Sequence, residues 1–136
     1  MQTPDVRAFK NELRNLKYYQ YRVQTLTNSM EWCYERLGGV RAIDPSKEPM
    51  HVAPNKELEY KLRDDIERYR ALLALTETKI KYIDEILSHI ETSLRDAIIS
   101  VYVDGQHLRA VASKMYLSGN GLSKRINKAI AQALLV

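Results

Sequence analysis

Residues 94–130 read LRDAIISVYVDGQHLRAVASKMYLSGNGLSKRINKAI, and the fold turns on how this stretch divides. Asp104-Gly105 is a turn signal, because Gly accepts the left-handed backbone that closes a helix, so the helix running in from Leu94 ends there. The spacing next predicts a short helix over about Gln106–Met115, with Leu108, Val111 and Ala112 inward. Ala112 is small enough to let a following helix cross closely. Tyr116-Leu117 then forms a turn and Ser118 caps a helix over Gly119–Leu134. Along that helix Leu122, Ile126, Ala129, Ile130 and Ala133 recur at the spacing of one buried face. Two short helices joined by a tight turn make a helix-turn-helix.

The charge on this stretch is one-sided. From Gly105 to Val136 there are five basic residues, Arg109, Lys114, Lys124, Arg125 and Lys128, and no Asp or Glu. Residues 55–104 hold eight Lys/Arg and eleven Asp/Glu, a net −3. The field at the basic end favours polyanions, nucleic acid above all. Opposite its apolar row the last helix offers Asn120, Ser123, Lys124, Asn127 and Lys128, with Arg125 to one side. Gly119, Asn120 and Gly121 leave the first turn uncrowded, so the backbone there can approach a phosphate or a base edge, and Ser118 at the head of that turn is counted with the DNA-binding residues. Lys114, Lys124, Arg125 and Lys128 are candidates for neutralising phosphates, and Asn120 and Ser123 for meeting base edges in the major groove. The expected partner is double-stranded DNA. A solvated basic face, or one that docks an acidic protein, is the plainer alternative for the same residues.

Upstream, Val6, Phe9, Leu13, Leu16, Gln20, Val23, Thr27, Met30, Tyr34 and Leu37 step by three and four, with Tyr19, Leu26 and Cys33 widening the stripe. That pattern predicts one long helix from about Asp5 to Leu37, ended by Gly38-Gly39. Residues 38–54 contain three of the four Pro and read as a loop, with Asn55 as the cap of the next helix. Leu58, Leu62, Ile66, Tyr69, Leu73, Thr76, Ile80, Ile83, Leu87, Ile90 and Leu94 then predict a second long helix, reaching at least His89 and either continuing or kinking near Thr92-Ser93. The expected fold is all-α. Residues 1–91 form a long antiparallel, coiled-coil-like hairpin and oligomerisation arm, and residues 92–136 a helix-turn-helix DNA-binding domain. Each helix of a pair buries one seam and leaves flanking apolar residues wet, so a homo-oligomer, dimer or tetramer, is expected.

Tyr102-Val103-Asp104-Gly105, then Val111-Ala112, then Leu117-Ser118, then a helix carrying Leu122, Arg125-Ile126 and Lys128-Ala129, resembles the region-four helix-turn-helix of bacterial sigma factors. The likeness covers roughly the last third of the chain. With a helical hairpin and a Pro-rich loop ahead of it, the chain is similar to phage-encoded transcriptional regulators of the RinA/ArpU type. That resemblance implies binding to promoter or operator DNA, control of phage or prophage late genes in the cytoplasm of a bacterial host, and host RNA polymerase as a further partner. Two positions depart from the pattern: Tyr116 stands where many such turns carry Gly, and Gly119-x-Gly121 is unusual in a recognition helix. Phage small terminase subunits also join a helix-turn-helix to oligomerising helices, so a DNA-packaging or structural role is the alternative.

Other chemistries lack their residues. Cys33 is the sole cysteine, so no internal disulfide or multi-cysteine metal site can form, and with no His beside it the thiol reads as packing. His51, His89 and His107 are scattered and no EF-hand loop occurs, so no metal is expected. There is no Walker loop, and the adjacent pairs Asp64-Asp65 and Asp84-Glu85 diverge on a helix, so neither an enzyme nor a cofactor is expected. No apolar run approaches the ~20 residues that span a bilayer, and no signal-peptide core opens the chain, which points to a soluble intracellular protein without a membrane partner. Arg7, Lys10, Arg14, Lys17 and Arg22, interleaved with Tyr18, Tyr19 and Tyr21, are a conceivable second nucleic-acid surface. The simpler reading is a solvated face whose charges pair with Glu57, Glu59, Asp64, Asp65 and Glu67 of the second helix.

Overall fold

In the computed structural model, which describes residues 3–41 and 56–136, every regular element among those residues is helical. The first helix, α1 (Pro4–Arg14), starts at Thr3, whose hydroxyl accepts the Val6 N–H at 3.3 Å. Pro4 fits the first turn, where its missing N–H would have had no partner. The single helix expected from Asp5 to Leu37 is interrupted at Asn15 (φ −93°, ψ −2°), and α2 runs from Leu16 to Arg41. The interruption is narrow: Asn15 O still accepts the Tyr19 N–H at 2.9 Å. Gly38-Gly39 does not end α2, which passes through both to Arg41. A glycine stops a helix by turning left-handed, and among the described glycines only Gly105 does so.

The buried seam of α2 also differs from the expected one. Leu16, Tyr19, Leu26, Cys33 and Leu37 are buried, while Gln20 and Tyr34 lie in solvent and Thr27 is only half-covered. Tyr19, Leu26 and Cys33 recur every seven residues, as do Gln20, Thr27 and Tyr34, and burial goes to the more apolar of the two rows.

A second long helix, α3 (Lys56–Ser88), is antiparallel to α2, as the two heptad patterns predict. The expected cap Asn55, and the expected loop from residue 42 onward, lie outside the described residues. A corner at residues 89–91 separates α3 from α4 (Thr92–Ile98), so the kinked alternative holds. Arg95 reaches back across this corner. Its Nε donates to Leu87 O at 2.8 Å, which also accepts the Ile90 N–H, and its terminal nitrogen donates to Ile90 O of the corner at 2.9 Å. A π-helical segment, Ile99–Val103, follows, with the Asp104 N–H on Ile99 O at 2.9 Å. Gly105, at φ +75°, closes it in the left-handed region that favours glycine.

The chain forms two compact units, residues 1–20 with 78–136 and residues 21–77. This division is not the expected 1–91 and 92–136, because α1 packs with the C-terminal helices. The core of the first unit joins Val6, Phe9 and Leu13 of α1 to Ile83, Leu87, Ile98, Val111, Leu122, Ile126 and Ile130. In the second unit Cys33, Leu37, Leu62 and Ile66 form a small cluster, flanked by Met30, Leu58 and Tyr69. No helix among the described residues is long and apolar enough to cross a membrane.

Candidate nucleic-acid interface

Two further helices complete the first unit. The shorter, α5 (Leu108–Lys114), is expected over Gln106–Met115 and is trimmed at both ends; Val111 and Ala112 are its buried residues. The longer, α6, spans Gly119–Leu134, the bounds that its cap and apolar row predict. The connection is a Schellman turn. The Leu117 N–H bonds Ala112 O at 2.9 Å, the Tyr116 N–H bonds Ser113 O at 3.1 Å, and Tyr116 takes φ +59°. Tyr116 therefore occupies the left-handed position that glycine usually fills, with its ring 97 % exposed.

Beyond the turn the Ser118 hydroxyl accepts the Gly121 N–H at 3.0 Å, capping α6. A Cβ on Gly121 would stand 3.0 Å from that hydroxyl, so glycine leaves room for the cap. A Cβ on Gly119 would stand 3.5 Å from Arg109 Cγ, which places the Arg109 stem across the first turn of α6. Sequence reasoning did not place Arg109 at the site, since its approach to α6 depends on how α5 crosses it.

Leu122, Ile126, Ile130 and Ala133 are buried on the inner side of α6, with Ala129 half-buried. On the outer side Asn120, Lys124, Arg125 and Lys128 are exposed, and Lys114 is exposed in the last turn of α5. Gly119 and Ser123 are half-buried. Among the described residues none of Arg109, Lys114, Lys124, Arg125 and Lys128 takes part in an ion pair. Glu91 borders a groove with Arg125 and Lys128, but its carboxylate accepts the Ser93 hydroxyl at 3.0 Å.

Asn127 is the exception to the outward face. It is half-buried, and its Oδ1 accepts a hydrogen bond from Lys10 Nζ of α1. Lys10 is 3 % exposed and lies 5.1 Å from the centroid of the Tyr102 ring, which Arg14 also overlies at 5.4 Å. Burial first, and the neighbouring Arg14 charge second, hold the Lys10 ammonium below the ordinary lysine pKa. Arg14 donates to Asn11 Oδ1 at 2.8 Å, and Lys17, in the first turn of α2, pairs with Asp104 at 3.3 Å.

Cys33 is buried, and desolvation, with the Asp65 charge adding to it, pushes its thiol pKa up. No group of three or more His, Cys, Asp or Glu that could hold a metal ion occurs among the described residues. No family model, curated protein or solved structure matches the chain.

Proposed function

We propose that this protein binds double-stranded DNA with α6 in the major groove and acts as a transcription regulator of phage or prophage genes. The observation that carries the DNA reading is the row Lys124, Arg125 and Lys128, exposed on the second helix of a helix-turn-helix and free of carboxylate partners among the described residues. Cations held this way displace counterions condensed on the DNA phosphates, and their release favours binding. Lys114, Lys124, Arg125 and Lys128 supply the phosphate contacts. Asn120 and Ser123 meet base edges, and Gly119 and Gly121 let the start of α6 come close to the backbone. The transcriptional role, and host RNA polymerase as a second partner, follow from the resemblance to sigma region four and to the RinA/ArpU-type regulators.

Salt-dependent fluorescence anisotropy on a labelled duplex tests the DNA reading. Lys124→Ala with Arg125→Ala weakens binding to all sequences and lowers the slope of log K against log salt by about 1.8, at ~0.9 for each phosphate no longer neutralised. Unchanged affinity in the double variant removes α6 from the groove.

The α2–α3 pair is the proposed oligomerisation arm, supported by the exposed Trp32, Tyr60 and Leu75 beside its thin core. Light scattering separates the roles: a dimer or tetramer fits transcription, whereas a large ring fits DNA packaging.

A further inference from the structure

We infer that the DNA-binding surface is built from two helices, with α1 supplying phosphate contacts along the flank of α6. This rests on the reading of α6 as the groove helix and adds a part of the chain that lies more than a hundred residues away.

Thr3, Arg7, Lys10 and Arg14 are spaced four, three and four residues apart, so they form one stripe along α1. Three contacts fix where that stripe looks. Thr3 and Val6 share a groove with Lys124, Asn127 and Lys128. Lys10, in the middle of the stripe, donates to Asn127. Arg14, at its end, lies over Tyr102 together with Lys10. The stripe therefore runs beside the Asn127 edge of α6. Arg7 and Arg14 are exposed on either side of the buried Lys10, and neither takes part in an ion pair among the described residues.

The acids of α1 are on its other edge. Asp5 and Glu12 line a groove with Phe9, Tyr82 and Leu134, away from Lys124 and Lys128. Hence α1 is divided lengthwise, and its basic edge adjoins the basic face of α6. Like charges so placed repel one another, and the buried ammonium among them has an amide oxygen and a tyrosine ring as partners but no carboxylate. A polyanion laid across both helices relieves that repulsion.

The shape of a duplex suits the arrangement. The major groove is about 12 Å wide and admits one helix. A packed neighbour, with its axis 8–10 Å away, falls over the phosphate ridge that bounds the groove. Arg7 and Arg14 are exposed on that flank, and a guanidinium fork is suited to bidentate phosphate contacts once it swings onto the ridge. Lys10 is a positioning residue that fixes α1 against Asn127 and sets the spacing between the two rows.

The test is fluorescence anisotropy of the full chain on a mixed-sequence duplex over a range of salt, comparing wild type, Arg7→Ala/Arg14→Ala, Arg7→Lys/Arg14→Lys and Lys124→Ala/Arg125→Ala. Both arginines are exposed, and circular dichroism verifies that the variants fold. The alanine pair on α1 is expected to lower the salt slope by about 1.8 and to weaken all duplexes by the same factor, while the lysine pair retains most of the slope. If the α1 alanine pair binds as wild type while the α6 pair is weakened, the footprint is α6 alone and this inference is overturned. If neither pair matters, the α6 reading fails as well. Loss from the α1 pair alone overturns the shared surface, because α6 then lies off the DNA.

Discussion

Tyr116 and Lys10 each occupy a place that the fold makes costly for their residue type. Tyr116 holds φ +59° with a ring that touches almost nothing, so no packing offsets the crowding between its Cβ and the backbone. That conformation costs an L-residue about 1–2 kcal/mol, of which Gly would return roughly 0.5–1 kcal/mol through its greater freedom in the unfolded chain. Tyr116→Gly is therefore expected to stabilise the protein by about 0.5–1 kcal/mol, read from urea midpoints; a drop in stability would assign the ring a contact that its exposure argues against. Lys10 shows its cost through pH. Its native pKa lies below the unfolded value of 10.5, so between the two the unfolded chain keeps a proton that the native chain has shed. Stability from this group therefore rises as pH climbs through that window, and at neutral pH the native state carries the whole desolvation cost. Lys10→Met deletes the titration. Relative to wild type the variant should lose ground as pH approaches 10.5, and a stability difference independent of pH would show that the ammonium is well solvated.

At the scale of elements, the ends of the helices decide what is stable and what could be foreseen. Arg95 replaces a capping residue at the end of α3 with hydrogen bonds from the next helix, to Leu87 O and Ile90 O. Bonds from a charged donor contribute about 1.5–3 kcal/mol each, less where solvent competes, so Arg95→Ala is expected to cost about 2 kcal/mol. Hydrogen exchange would then quicken at the α3–α4 corner before elsewhere, whereas a uniform change would mean that Arg95 does not hold that corner. Signals of this local kind were legible in the sequence. Ser118 with its glycines and apolar row gave both ends of α6, and Asp104-Gly105 gave the turn. The break at Asn15 was not legible, because the apolar spacing runs through it unchanged. The choice of Tyr19, Leu26 and Cys33 over Gln20, Thr27 and Tyr34 also escaped a spacing rule that both sets satisfy. At the site, the exposed row of Lys124, Arg125 and Lys128 could be read from one helix. The turn of Asn127 toward Lys10 could not, since it depends on which helix lies alongside α6. The one hint was a lysine placed between Val6 and Leu13 on the apolar side of α1.

For the molecule as a whole, the contrast that matters is between two cores of unequal depth. Among the described residues the first unit buries side chains from six helices in one cluster, while the second gathers Cys33, Leu37, Leu62 and Ile66, with Leu26 buried apart from them. Ordering a residue's backbone costs about 1–2 kcal/mol, and a handful of buried side chains at ~1.5–3 kcal/mol each offset only a few such residues. Residues 21–77 by themselves are thus the part whose protection should depend most on what covers them. Trp32 lies there, 54 % exposed, with the Arg36 guanidinium 4.8 Å from its ring centroid. It is the sole tryptophan, so fluorescence reports on this unit alone. If a second copy covers the α2–α3 pair, raising the protein concentration shifts Trp32 emission to the blue and slows amide exchange in residues 21–77. Protection in residues 78–136 changes little, and the melting temperature rises with concentration, as mass action requires when association accompanies folding. Emission and exchange that stay constant from dilute to concentrated protein would leave the pair uncovered by its own kind. The arm would then have to be completed by a different protein.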